Sequence, residues 1–248
     1  MAFPVLSSAT DTDFAFTVTS MAVNLPASIS SGDLLVAFSE LRNSGTWTVP
    51  SGWTEAAAQL GGASVGELTF FYKIADGTEG STATWTAGTG SSAAWQTYKI
   101  TGWHGTTPPE AATTSGDYST QPNPPSLTPS WGAADTLWVE VAGNTATVNL
   151  TTGASISYSG YTLNTASGGG AQCQVSSAYR ENNTATEDPG EMANAGFIRY
   201  WAAMTIGIRP SAAASSGIAE VNSVSQANIA KVNSVSESSI AEINTVTN

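Results

Sequence analysis

The chain has 248 residues, with seven Lys or Arg, nineteen Asp or Glu, one His and one Cys, so the formal charge is −12 although only 10% of residues are charged. Seven scattered cations cannot neutralise a phosphate backbone or hold an anionic bilayer, which excludes nucleic acid and membrane surfaces as partners. Cys173 alone forbids an intrachain disulfide, and His104 alone forbids a multi-histidine metal site.

No segment approaches the roughly 18 consecutive apolar residues that a membrane span needs. The opening Met1-Ala-Phe-Pro4 has neither a basic region nor an apolar run, so no signal peptide is expected. Apolar residues nevertheless make up 41% of the chain, with eight Trp, seven Tyr and seven Phe. Gly, Ser, Thr and Ala fill most of the rest, and good surface helix formers are scarce. This is the composition of strands and turns.

In chain order, Asp13–Val23 alternates Phe14, Phe16 and Val18 with small residues, as a half-buried strand does. Leu34–Ser39 is nearly continuous in apolar residues and predicts a central strand. Further strands are predicted over Leu68–Ala75, Ala83–Ala87, Ala93–Thr101, Thr136–Ala142, Ser159–Asn164, Ala171–Tyr179 and Phe197–Ile208. Turn signals such as Pro50-Ser-Gly52, Asp76-Gly77 and Gly168-Gly-Gly170 separate them. The pattern predicts an all-β fold, an antiparallel β-sandwich of jelly-roll type, because the helices that parallel crossovers require are missing. Gly105–Pro129 holds six of the eleven prolines and reads as a long surface excursion.

At Pro210 the character changes. Residues 1–210 form the predicted β-sandwich body, 211–217 a linker, and 218–248 an eleven-residue repeat. Ile218-Ala-Glu-Val-Asn-Ser-Val-Ser-Gln-Ala-Asn228 and Ile229-Ala-Lys-Val-Asn-Ser-Val-Ser-Glu-Ser-Ser239 share seven of eleven positions, and a clipped copy runs from Ile240 to Asn248. The unit fits a right-handed helical supercoil by its period, or an extended chain bending at Asn-Ser by its residue types. In either form the predicted partner-binding residues are Ile218, Val221, Val224, Ile229, Val232, Val235, Ile240, Ile243 and Val246, because three short repeats bury too little to fold alone.

Residues suited to catalysis are sparse. His104 lacks a nucleophile-elbow context, and the candidate carboxylates (Asp11 and Asp13, Asp76 and Glu79, and Glu187, Asp188 and Glu191) sit in turn-like surroundings. Glu181–Glu191 does not have the spacing of an EF-hand calcium loop. The expectation is a non-enzymatic protein without a cofactor. Among the aromatics, Trp47 and Trp53 flank a loop and are the candidate platform for stacking a sugar, whereas the others are expected in the core.

Gly32-Asp-Leu-Leu-Val-Ala-Phe38, Pro50-Ser-Gly-Trp-Thr54, Tyr72-Lys-Ile-Ala-Asp-Gly77 and Tyr98-Lys-Ile-Thr-Gly-Trp103 together resemble a β-sandwich domain common among tailed-bacteriophage structural proteins. The tail repeat resembles the Ile-Ala-Lys-Val-Asn-Gly-Val motif at the ends of such proteins, with Ser223, Ser234 and Thr245 in place of its Gly. The resemblance implies a virion component made in the host cytoplasm. One form is a capsid decoration (cement) protein, homotrimeric, bound to the major capsid protein on the capsid surface. The alternative form is a tail-fibre or receptor-binding adhesin recognising host-surface carbohydrate.

Overall fold

The computed structural model describes residues 2–11, 18–42, 46–116, 121–145, 158–166, 173–192, 200–212, 220–221 and 224–225. The chain divides into two units, Met1–Ser211 and Ala212–Asn248. Among the described residues no helix is long and apolar enough to cross a membrane.

Strand β3 (Leu34–Leu41) explains the layering of the first unit. Successive side chains on a strand point to opposite faces, and all eight residues of this one are buried, so both of its faces must be covered. The sheet containing it has the order β1-β8-β3-β6-β5, where β1 is Val5–Asp11, β5 Thr54–Leu60, β6 Glu67–Ile74 and β8 Ala93–Thr101. On one side Leu34, Val36 and Phe38 meet a second five-stranded sheet, built from β9 (Glu110–Gly116), β10 (Ala134–Asn144), β11 (Ser159–Ala166), β12 (Cys173–Thr184) and β13 (Trp201–Ile208). On the other side Leu35, Ala37 and Leu41 meet a three-stranded sheet of β2 (Val18–Asn24), β4 (Trp47–Thr48) and β7 (Thr82–Ser91). All pairings are antiparallel. The fold is an all-β sandwich.

The two five-stranded sheets repeat one another. Taken in chain order, β1, β3, β5, β6 and β8 correspond to β9, β10, β11, β12 and β13, and both sets assemble in the same spatial order. The register agrees at the centre: Val36 lies between Tyr72 and Tyr98, and Val139 lies between Tyr179 and Ile206. The edge strands β5 and β9 adjoin, and β8 packs over β12, as expected if the halves are related by a pseudo-two-fold axis. The strand exits repeat the relation, because His104 N–H donates to Arg209 O (2.9 Å) and Ser211 N–H to Gly102 O (2.8 Å). The first unit therefore has the design of a self-complementary dimer fused into one chain.

The strand predicted over Ala93–Thr101 forms with those bounds, and the other predicted strands form with shifted ends where they are described. Residues 13–17 of the first predicted strand lie outside the described residues. Strands β1, β4, β5 and β9 were not anticipated. Thr54-Glu-Ala-Ala-Ala-Gln-Leu60 carries no alternation and little β propensity, and its pairing with β6 decides its state.

Gly105–Pro129 is not one surface excursion. Its proline-free centre forms β9, and beyond residue 120 the chain runs extended with Pro122, Pro124, Leu127 and Pro129 buried. Thr205 Oγ1 donates to Pro125 O (2.5 Å), and Met192 N–H to Pro122 O (2.8 Å). Proline lacks a ladder donor, but its carbonyl and ring still suit a covering layer. This layer stands where β2 stands in the first half: Leu127 exchanges backbone hydrogen bonds with Glu187 as Leu25 N–H donates to Ser81 O.

Candidate functional site

Trp47 and Trp53 are 6% and 9% exposed, which corrects the expectation that they form a sugar platform. The turn Pro50–Trp53 closes with Trp53 N–H donating to Pro50 O (3.1 Å) and Gly52 at φ 82°, and it sends the Trp53 ring inward. Trp53 then meets Trp85 (ring centroids 5.0 Å) and Trp47 meets Trp95 (4.9 Å), with Trp85 and Trp95 themselves 4.7 Å apart. Trp47 Nε1 donates to Ser39 Oγ (3.0 Å). These rings fill the space between the first sheet and the three-stranded sheet, so neither offers a face to a ligand.

Of the tail residues, only Val221 and Val224 fall among the described residues. They lie in β14 (Glu220–Val221) and β15 (Val224–Ser225), which pair antiparallel with Val221 opposite Val224 and Glu220 opposite Ser225. The first repeat is thus extended here, with two residues between the paired valines. Ile218, Ile229, Val232, Val235, Ile240, Ile243 and Val246 lie outside the described residues.

The remaining sequence candidates are taken up by local structure. His104 Nδ1 accepts from Thr107 N–H (3.2 Å) and lies beside the hydroxyls of Thr106 and Thr107, which caps the loop leading to β9. Asp76 accepts from the Thr78 amide (2.8 Å) and hydroxyl, and those bonds hold its carboxyl below the usual range. Glu79 accepts from the amides of Asp76 and Gly77 and pairs with Lys73 (2.9 Å). Asp13 lies outside the described residues. Among the described residues no group of three or more His, Cys, Asp or Glu could hold a metal ion.

Glu187 is 3% exposed and accepts from Arg180 Nη1 (3.0 Å), Asn182 Nδ2 (3.1 Å) and Tyr158 OH (3.3 Å). Burial, then the charges of Glu187 and Glu140, push the Tyr158 phenol far above its ordinary value, so it stays a donor. The cluster fastens the segment before Met192 to the outer face of the second sheet. Glu187→Ala should cost about 1–3 kcal/mol, because it strands buried donors, and Glu187→Gln should cost less. Urea denaturation of both variants checks this; equal, negligible losses would remove the fastening role.

The sequence reading missed a second carboxylate cluster. Glu40 on β3 is 2% exposed and shares its face with Leu34, Val36 and Phe38. Its carboxyl lies between Gly66 and Gly143, where a methyl group at either position would overlap it, and its Oε2 has no hydrogen-bond partner among the described residues. Burial, then the neighbouring Glu67, push Glu40 well above the ordinary carboxylate range. Burial and then Glu55 raise Glu67, which is 8% exposed. A signal was available: a period of two through Leu34, Val36 and Phe38 puts Glu40 on the same inward face. Two neighbouring carboxyls both pushed up resemble acid–base machinery, yet Glu40 is buried away from any substrate.

No protein-family model matches the chain, and neither the curated proteins nor the solved structures contain a match.

Proposed function

We propose that this chain is a non-enzymatic structural protein of a tailed-bacteriophage virion, a capsid decoration protein that binds and stabilises the major capsid shell as a homotrimer. The observation that carries the reading is the eleven-residue repeat following a body that is already complete in its core. The first copy pairs Val221 with Val224 as extended chain, a form that can add strands to the exposed sheet edge of a neighbour. An isolated two-stranded pair is marginal in water, so the repeat's aliphatic residues gain most from a partner's surface. A chain with net charge −12 and only seven Lys or Arg repels nucleic acid and remains soluble when crowded on a shell.

The adhesin alternative relied on Trp47 and Trp53, whose rings are enclosed, and no other observation favours it. Quantifying the protein against the major shell protein in purified particles tests the proposal. A copy number commensurate with the shell subunit is expected. A handful per particle would place the chain on the tail and overturn the decoration role.

A further inference from the structure

Glu40 sits where the two pseudo-equivalent sheets touch. Counting from the matched pair Leu34 and Leu137, its counterpart on β10 is Gly143, and it is against Gly143 that its carboxyl packs. Two equivalent positions that face each other across such an axis cannot both be large, and here the glycine at 143 leaves the space that the Glu40 carboxyl fills. The price is a polar group held in a dry joint: Oε2 is unpaired there, although a buried polar atom is normally hydrogen-bonded. The neighbours add no relief. From β6 comes Glu67, from β5 Glu55 beside it, and from β12 the thiol of Cys173, itself pushed up by burial and by Glu40. Arg42, at the end of β3, acts on Cys173 in the opposite direction. Strand β10 presents Gly143, and β8 presents Ala94 and Gln96 on the inward face, none of which titrates.

We propose that Glu40, with Glu67 beside it, is a proton-operated latch between the two five-stranded sheets, closed while Glu40 is a neutral acid and loosened when it ionises. The neutral acid is a compact wedge between Gly66 and Gly143. The carboxylate is a buried anion wedged between Gly66 and Gly143, with Glu67 on the neighbouring strand of the same sheet adding repulsion. The latch does not depend on the proposed role in the capsid.

The direction of the pH effect follows from proton linkage. A carboxyl that binds its proton more tightly folded than unfolded contributes stability that is fully present below its unfolded value, here near 4.5, and is lost as pH rises through the higher folded value. Across that window each pH unit should raise the unfolding equilibrium constant by up to about tenfold.

The test is urea denaturation of the full-length chain from mildly acidic to mildly alkaline pH, for the native protein, Glu40→Gln and Glu67→Gln. General repulsion in a chain of charge −12 has the same sign, so the comparison between variants is decisive. Glu40→Gln should flatten the native slope and be the more stable protein at alkaline pH, whereas Glu67→Gln should make the loss smaller and complete it at lower pH, because relieving the repulsion lets Glu40 ionise more readily. Infrared difference spectra should show a protonated carboxyl persisting above the ordinary carboxylate range, with that signal reduced in Glu40→Gln to what Glu67 alone contributes. If Glu40→Gln does not fold, the infrared band and the Glu67→Gln shift decide alone. Parallel pH profiles, or no persistent protonated carboxyl in the native protein, would overturn the latch.

Discussion

The chain truncated after Ser211 is expected to fold with the stability of the full-length protein and to lose its occupancy on capsids. The body closes upon itself before the repeat begins: Ser211 N–H completes the exit pairing with Gly102 O, and the core residues of all three sheets lie upstream of Pro210. The tail, by contrast, carries nine regularly spaced Ile and Val residues within 218–246. Fully buried on a partner, each would contribute roughly 1.5–3 kcal/mol, which exceeds the ordering cost where the partner's groove is preformed. Extended, the 38 residues from Ser211 reach on the order of 125 Å, enough to cross several shell subunits, and contacts repeated over many equivalent sites multiply weak binding into durable attachment. The check is sedimentation of truncated and full-length protein with bare capsids, alongside urea denaturation of both. Undiminished occupancy by the truncated body would end the anchoring role.

Trp85→Ala is expected to be the most damaging single substitution in the body, costing about 3–5 kcal/mol. Trp85 is fully buried, 5.0 Å from Trp53, 4.7 Å from Trp95 and 5.8 Å from Phe71 between ring centroids, so its removal empties the centre of the aromatic layer. Against a total stability of roughly 5–15 kcal/mol for a typical domain, that loss is a large share. The indole N–H of Trp85 has no acceptor among the described residues, so Trp85→Phe should cost far less because only volume is lost. Denaturation midpoints of the two variants test this. A loss below about 1 kcal/mol for the alanine variant would mean that the layer can collapse around the gap.

The pH latch and the aromatic layer lie on opposite faces of one strand. Leu35, Ala37 and Leu41 of β3 face the tryptophans, and Leu34, Val36, Phe38 and Glu40 face the second sheet. The first joint is apolar apart from bonds such as that from Trp47 to Ser39. The second contains a polar network as well, in which Gln96 donates to Val175 O (3.2 Å) and Ser177 Oγ lies 2.5 Å from Tyr98 OH. The two interfaces should therefore respond differently to solution conditions, the aromatic one to volume changes and the inter-sheet one also to protonation.

How far the sequence reaches depends on the kind of information each residue carries. Alternation and composition are local, so the all-β class, the bounds of Ala93–Thr101, the central position of Leu34–Ser39 and the change of character at Pro210 could all be read from residue order. The eleven-residue period was legible for the same reason, although its period and its residue types pointed to different backbones. The pairing of Val221 with Val224 shows extended chain in the first copy.

Tertiary structure decided what depends on partners distant in the chain. Whether Trp53 meets water or Trp85 is set by a sheet assembled from β2, β4 and β7, and no window around Trp53 contains that sheet. Edge strand β5 exists because β6 offers it a ladder, and β9 because β13 does. The duplication of the two halves and the burial of Glu40 against Gly143 arise only when residues about a hundred positions apart are brought face to face. Side-chain type fixes which strands are possible; packing fixes which faces are covered, and burial is a property of the covered face rather than of the residue.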